Sequence, residues 1–474
     1  MSNPASAAVR AALRGVRRAL REFLGVPLAV VAGFVALGAA AYAVDAAYFP
    51  VGAPDPPLPW LAHTLGDSGA IASLLGTVAT GMITVTSITF SLLLIAVQQS
   101  ASTLTNHVFD QFIRRWSNKF NFGFFVGLSI YLLITLATTG QTHRPVLGTA
   151  LALLLSGVAL CMVVILIYAT IDQMRPYTIV RAIHAHTAAA HRAHRALLAR
   201  TKRRPGPGLG GRTVLRAGGF GVVGRIDLDR IARVLEAAAR EGGTGRIEVE
   251  VLRTVGARLA YRDPLLRLLS ARPLPADLCD RIGPDLLDAV ALEPRRTLDD
   301  DPGYGIQQLF AIGWTTTSTA KQNPQPGILA CHALRDLIAR WIHAEPPGED
   351  PAAPVIYADD PVREAIEALE SLAVVTSEGM QDRVLAEIAQ SLAGLIADAP
   401  APLLPTLERV ALTALSGLGD HVLTGALEAG LRAAEAALRE RGRTQAADAV
   451  REAIADLARS VGRLNSRSTR VPGG

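Results

Sequence analysis

Between Ser68 and Asn106 the chain runs for 39 residues without a formal charge. A membrane-spanning helix takes about 20 such residues, and a continuous helix of this length, about 58 Å at 1.5 Å per residue, overshoots a bilayer. The run is not uniformly apolar. Ser73, Thr77, Thr80, Thr84, Ser87 and Ser91 recur at 4-3-4-3-4 spacing, and Gln98, Ser102 and Thr105 continue the series. At 100° per residue all of them fall within roughly 40° of one line down the helix, broken only by Leu94, Ile95 and Val97. Hydrocarbon satisfies no hydroxyl, so this stripe must face protein or water. It can line a path, replacing part of the hydration of an ion or small solute. It can equally form a close-packed helix seam.

Three further apolar runs surround it, giving spans at about 23–44, 70–97, 120–139 and 146–171 within a membrane domain of 23–172. Residues 1–22 form a basic segment with Arg10, Arg14, Arg17, Arg18 and Arg21 against a single Glu22. Together with the Ala-Ala-Ala-Tyr-Ala that follows, this start also resembles a secretory signal; the apolar run is longer than a signal core, and more spans follow, which favours an uncleaved helix. The loop from Asp45 to Asp67 has three acids, five prolines and no Lys or Arg, whereas the loop at 107–119 carries Arg114, Arg115 and Lys119. The positive-inside rule then sets both termini on the cytoplasmic side.

From Gln173 to Ile226 there is no acid but eleven Lys or Arg, which makes 173–211 a basic juxtamembrane helix and linker. Such cations attract anionic lipid headgroups, and Arg114, Arg115, Lys119, Arg175, Arg181, Arg192 and Arg195 are the candidate contacts. Aromatics are sparse in the stretch, Tyr177 and Phe220 alone, which argues against a stacking nucleic-acid platform. Residues 212–263 alternate β-branched runs with glycine turns and form a small α/β or barrel-like module. From 264 to 464 the pattern is helical between proline breaks, and 465–474 is an expected disordered tail. The expected fold is mainly α: a four-helix transmembrane region plus a largely helical cytosolic part with a small β-containing module. A mean hydropathy of +0.29 over 474 residues fits that division.

The segments MITVTSITFSLLLIAVQQSAS, FGFFVGLSIYLLITLATT, AGGFGVVGRIDLDRIARVLEAA and DDDPGYGIQQLFAIGWTTTSTAKQNP resemble the predicted membrane proteins grouped as domain of unknown function 2254. The resemblance covers roughly residues 20 to 400. It implies a bacterial inner-membrane protein of this topology and no established activity. Family members carry Ala-Leu-Ser-Pro and Asn-Asp-Pro around what is here Thr316 to Pro324; this chain keeps Asn323 and Pro324 without the aspartate.

Other chemistry is weakly marked. Cys161, Cys279 and Cys331 are far apart and fit neither a disulfide framework nor a zinc site. Charges are absent from the middle of every span, which argues against a coupled transporter. His184, His186, His191 and His194 invite a metal reading, but four arginines and no local carboxylate surround them, so a solvated helix is expected. Gly218, Gly219, Gly221 and Gly224 lack phosphate-loop spacing, and the Val255-Gly256-Ala257 turn lacks a modifiable lysine. Asp299, Asp300 and Asp301 suit a helix start better than a cation site. No catalytic set, metal site or cofactor follows from the residues. The expected protein is a homo-oligomeric, channel-like or sensor protein with a polar-striped second helix and a cytosolic regulatory domain. The alternative is a non-conducting scaffold holding its cytosolic domain at the anionic membrane face.

Overall fold

A computed structural model describes residues 4–49, 59–65, 67–103, 116–140, 143–173, 175–242, 246–318, 323–345, 348, 350 and 352–460. The chain divides into two compact units at Arg175/Pro176.

The first unit contains α1 (Pro4–Tyr48), the short α2 (Pro59–Leu65), α3 (Ser68–Thr103), α4 (Trp116–Ala137) and α5 (Val146–Gln173). Among the described residues, four stretches are long and apolar enough to cross a membrane: Leu24–Tyr48, Ser68–Leu92, Trp116–Ala137 and Val146–Asp172. The basic N-terminal segment is not a separate element, because α1 continues through it and through Pro27. Side-chain pairs fix the helix directions. Pro27 backs onto Gly123 and Phe34 onto Gly127, so α1 and α4 run parallel. Phe90 stacks on Phe122 with centroids 4.3 Å apart, bringing the second half of α3 to the start of α4. The Tyr131 hydroxyl donates to the Gly148 carbonyl at 2.9 Å, joining the start of α5 to the later part of α4. The order is up-down-up-down.

Glycine spacing sets how closely α1 and α4 approach. A Cβ at Gly123 would stand 2.8 Å from Pro27 Cα, and one at Gly127 would stand 2.5 Å from the Phe34 ring. Two glycines four residues apart clear one helix face for a neighbour, the small-residue packing that membranes favour where no hydrophobic force separates helix from lipid. Phe34, Phe125, Leu128, Tyr131 and Leu132 fill the core beside them.

The second unit opens with α6 (Pro176–Ala199). Then follow β1 (Gly211–Arg216), β2 (Gly221–Ile226), α7 (Leu228–Gly242), β3 (Ile247–Val251), β4 (Arg258–Leu259), β5 (Pro264–Ser270), α8 (Ala276–Asp288) and β6 (Val290–Glu293). After α9 (Pro302–Thr317) and α10 (Gln325–Ile342) comes β7 (Val355–Ile356). The chain ends in α11 (Pro361–Glu378), α12 (Asp382–Asp398), α13 (Leu404–Ser416), α14 (Gly425–Glu440) and α15 (Thr444–Ser460). The described strands make two sheets, ordered β1-β5-β3-β7 and β4-β2-β6, in which β3 and β7 pair in parallel and the other strand pairs are antiparallel. Strand structure therefore continues beyond residue 263, where the sequence pattern turns helical. Pro264–Ser270, PLLRLLS, is leucine-rich and owes its strand state to its place between β1 and β3.

The linker is tied to this sheet edge. Lys202 donates its amide to the Val355 carbonyl and accepts from Tyr357 N, forming an isolated parallel bridge with Ile356. Its ammonium pairs with Glu248, and both side chains are buried. Arg246 at 2.9 Å and the Gly206 amide at 3.0 Å complete the carboxylate's partners.

Candidate functional site

The face of α3 that carries the hydroxyl stripe points away from its own bundle. Ser73, Thr77, Thr80, Thr84, Ser87, Ser91 and Gln98 are all exposed. Ile71, Leu75, Ala79, Met82, Thr86 and Thr89 are buried, and at 100° per residue they centre on the opposite side of the helix. That buried side packs on α4 and α5. Met82, 3% exposed, marks it. The stripe therefore makes no seam with this chain's described helices. Ser102 lies in α3, but nothing is described of its side chain; Thr105 lies outside the described residues.

Within the stripe, Thr77 donates to the Ser73 carbonyl and Thr84 to the Thr80 carbonyl, each at 2.9 Å. These bonds to the preceding turn satisfy the hydroxyl hydrogens and leave the oxygens' remaining lone pairs on the outer face. Ile83, Ile88 and Leu92 flank the line and are exposed as well, and exposed Leu94 and Ile95 interrupt it between Ser91 and Gln98. The face is a polar track between apolar borders.

Of the candidate lipid contacts, Arg114 and Arg115 lie outside the described residues. Lys119 is half-buried on α4. Arg175 pairs with Asp172 at 3.7 Å, Arg181 and Arg192 are exposed on α6, and Arg195 donates to the Glu345 carbonyl.

The histidines of α6 depart from expectation. Instead of a solvated helix, α6 packs on α9 and α10, with His191 and His194 buried. His184 meets Asp336 at 2.7 Å, His194 meets Asp359 at 3.2 Å, and His186 stands 3.9 Å from Asp299. The carboxylates missing from the local sequence arrive from more than a hundred residues away. His191 stacks on Trp341 with centroids 4.1 Å apart, and its pKa is lowered to about 4 by burial, then by His194 and Arg195. The histidines are spread along the interface, and among the described residues no group of three metal-ligating side chains converges.

Asp301 is the N-cap of α9, accepting from Tyr304 N at 2.9 Å, as the acidic run predicts. Arg296 holds both its oxygens, at 2.6 and 3.0 Å, and reaches Gln307. Gly256, at φ +86°, lies against this pair; a Cβ there would sit 2.2 Å from Asp301 Oδ2.

One constellation was illegible in the sequence. His421 faces Asp382 through Nδ1 and Ser377 Oγ through Nε2 at 3.2 Å, the connectivity of a nucleophilic triad. Its chemistry is different. Ser377 donates its proton to the Gly417 carbonyl at 2.6 Å, so the imidazole cannot serve as that hydroxyl's base. Nε2 also meets the Ser377 carbonyl at 3.0 Å, and Ser377 and His421 are both buried. The set is a strut joining α11, α12 and the turn after α13. Cys331, fully buried against Ser391, has its thiol pushed up to about 12 by burial and is no nucleophile.

Four apolar spans beside a mixed, mainly helical second unit define an integral membrane protein with a substantial extramembrane part. The chain belongs to the family described as predicted membrane protein (DUF2254), which matches residues 21–393. No curated protein and no solved structure matches the chain. The stretch from Thr316 to Pro324 is only partly described, since 319–322 lie outside the described residues.

Proposed function

We propose that this protein is a homo-oligomeric, channel-like membrane protein in which copies of α3 surround a shared polar path. The observation that carries this reading is the outward placement of Ser73, Thr77, Thr80, Thr84, Ser87, Ser91 and Gln98. Hydroxyl oxygens and a carboxamide on the lipid side of a lone bundle would meet hydrocarbon, which offers them nothing. Several copies around an axis give them water or a permeating solute. With no charge in the middle of any span, the path suits passive movement of a small polar solute or ion. The basic loops support a cytoplasmic position for both termini, where the second unit would gate or sense.

A second reading has its own support. Thr77 and Thr84 already spend their hydrogens on their own helix, which suits a dry seam between copies in a non-conducting scaffold. Thiol accessibility separates the two. Single cysteines at Thr80, Thr84 and Ser87, with Met82 as the buried control, are labelled in intact cells by a membrane-impermeant reagent. A water-lined path gives fast labelling on the stripe and none at Met82. Protection along the whole stripe, Ser73 at its outer end included, removes the open path and leaves the seam.

A further inference from the structure

Two turns of the second unit carry its most exposed aromatics. Phe220, at the tip between β1 and β2, is 81% exposed, and Tyr261, between β4 and β5, is 71% exposed; the next large apolar side chain in the unit, Tyr177, reaches 56%. The turns are tied side by side: Ala217 N donates to the Asp263 carbonyl and Arg262 N to the Ala217 carbonyl, both at 2.9 Å. Arg262 sits at φ 68°, in the left-handed region, to close the second turn. The two rings therefore belong to one edge of the strand module, where both turns cross from one sheet to the other.

Charge surrounds that edge on one side of the ledger. Arg216, Arg258 and Arg262 are exposed, and none makes an ion pair among the described residues; Arg216 donates only to the Arg262 carbonyl, at 2.9 Å. Two acids lie nearby. Asp263 accepts from the Ala260 amide at 2.8 Å within its own turn. Glu293 lies across β2 from Arg258, each opposite Val222, and its side chain lies over Gly224. Exposed aromatics flanked by unpaired arginines match the interfacial layer of an anionic bilayer, where rings settle among headgroups and cations meet phosphate. The chain also tethers the second unit to its membrane spans. The last span ends at Gln173, α6 starts at Pro176 and is about 36 Å long by helical rise, and β1 begins at Gly211. A tether of that reach makes weak lipid contact effectively intramolecular.

We infer that the paired turns at Gly218–Phe220 and Tyr261–Arg262 are a membrane-docking site, with Phe220 and Tyr261 entering the headgroup layer of an anionic bilayer and Arg216, Arg258 and Arg262 binding its phosphates. The site rests on the cytoplasmic placement of the second unit and is independent of what α3 faces.

The test uses the full chain in nanodiscs of phosphatidylglycerol or phosphatidylcholine containing brominated lipid. Cys161 and Cys279 are replaced by serine, while fully buried Cys331 stays. An environment-sensitive fluorophore goes on Phe220→Cys, Tyr261→Cys or the control Ala271→Cys, which follows β5 at its far end, about 23 Å away along the strand. Docking gives at least twofold quenching at 220 and 261 in phosphatidylglycerol, with 271 unquenched. In phosphatidylcholine, or with R216E/R258E/R262E in a chain of unchanged circular dichroism, at least half of that quenching is lost. Quenching at 220 and 261 no greater than at 271 overturns the inference, as does quenching indifferent to headgroup charge and to the arginines. Shielding of the tips without lipid quenching, the result a protein partner would give, also overturns it.

Discussion

The carboxylate of Asp45 caps α5 through Gly148, 103 residues further along the chain, accepting its amide at 2.9 Å and that of Leu147 at 2.8 Å. It is fully buried, at the end of one span and the start of another. The first amides of a helix have no partner within it, and a negative charge there meets the positive end of the helix dipole.

Asp45→Asn keeps the shape but loses the charge and offers one accepting oxygen for two amides. We expect a loss of about 1–3 kcal/mol, the cost of weakening charge-assisted bonds at a buried site. Thermal unfolding in detergent measures it. An unchanged melting temperature would show that water replaces the carboxylate.

Gly127→Leu drives a side chain into Phe34, and Gly123→Leu drives one into the backbone of Pro27. Each should destabilise the α1–α4 contact by about 1–3 kcal/mol or more, the ordinary cost of overpacking. The same change at Gly81, whose added Cβ meets nothing within 4 Å, should leave the bundle's stability near that of the parent. Paired melting curves of the three variants provide the comparison.

Burial lowers the pKa of His191 to about 4 against an ordinary 6.5, so the unfolded chain takes up the proton first as pH falls. Its contribution is intact above about pH 6.5 and shrinks as pH drops towards 4. The full loss is about 3 kcal/mol. His191→Phe retains a ring against Trp341 without a titrating group. The difference between parent and variant stability should change across that window and be flat above pH 7.

Lys202→Met leaves the buried Glu248 carboxylate without its ammonium. A broken buried pair typically costs about 3–5 kcal/mol, and we expect that order of loss. Lys202→Met with Glu248→Met replaces the pair by apolar side chains and should recover most of it. Denaturant titration of the two variants distinguishes a required pair from a dispensable one.

What the sequence could disclose followed the range of each signal. Hydropathy is local, so the four spans were readable, as was the Asp301 cap, which depends on residues three apart. The hydroxyl stripe was readable as a period, but the side of α3 that packs is chosen by α4 and α5. Gly123 and Gly127 carried a readable spacing whose partner, α1, was not named by it. The carboxylates beside His184 and His194 lie 152 and 165 residues downstream, beyond any local pattern. The Ser377–His421–Asp382 strut likewise exists only once α11, α12 and the turn after α13 are packed.

The two sides of α3 answer to different constraints. Ile71, Leu75, Ala79 and Met82 are held by the bundle, and substitutions there register as folding defects. Thr80, Thr84 and Ser87 are exposed and outside that packing, so the bundle tolerates change on this side without loss of its own stability. A phenotype mapped to those positions therefore reports on something other than the packing of the described helices: a genetic screen confined to this one face reads what surrounds the bundle.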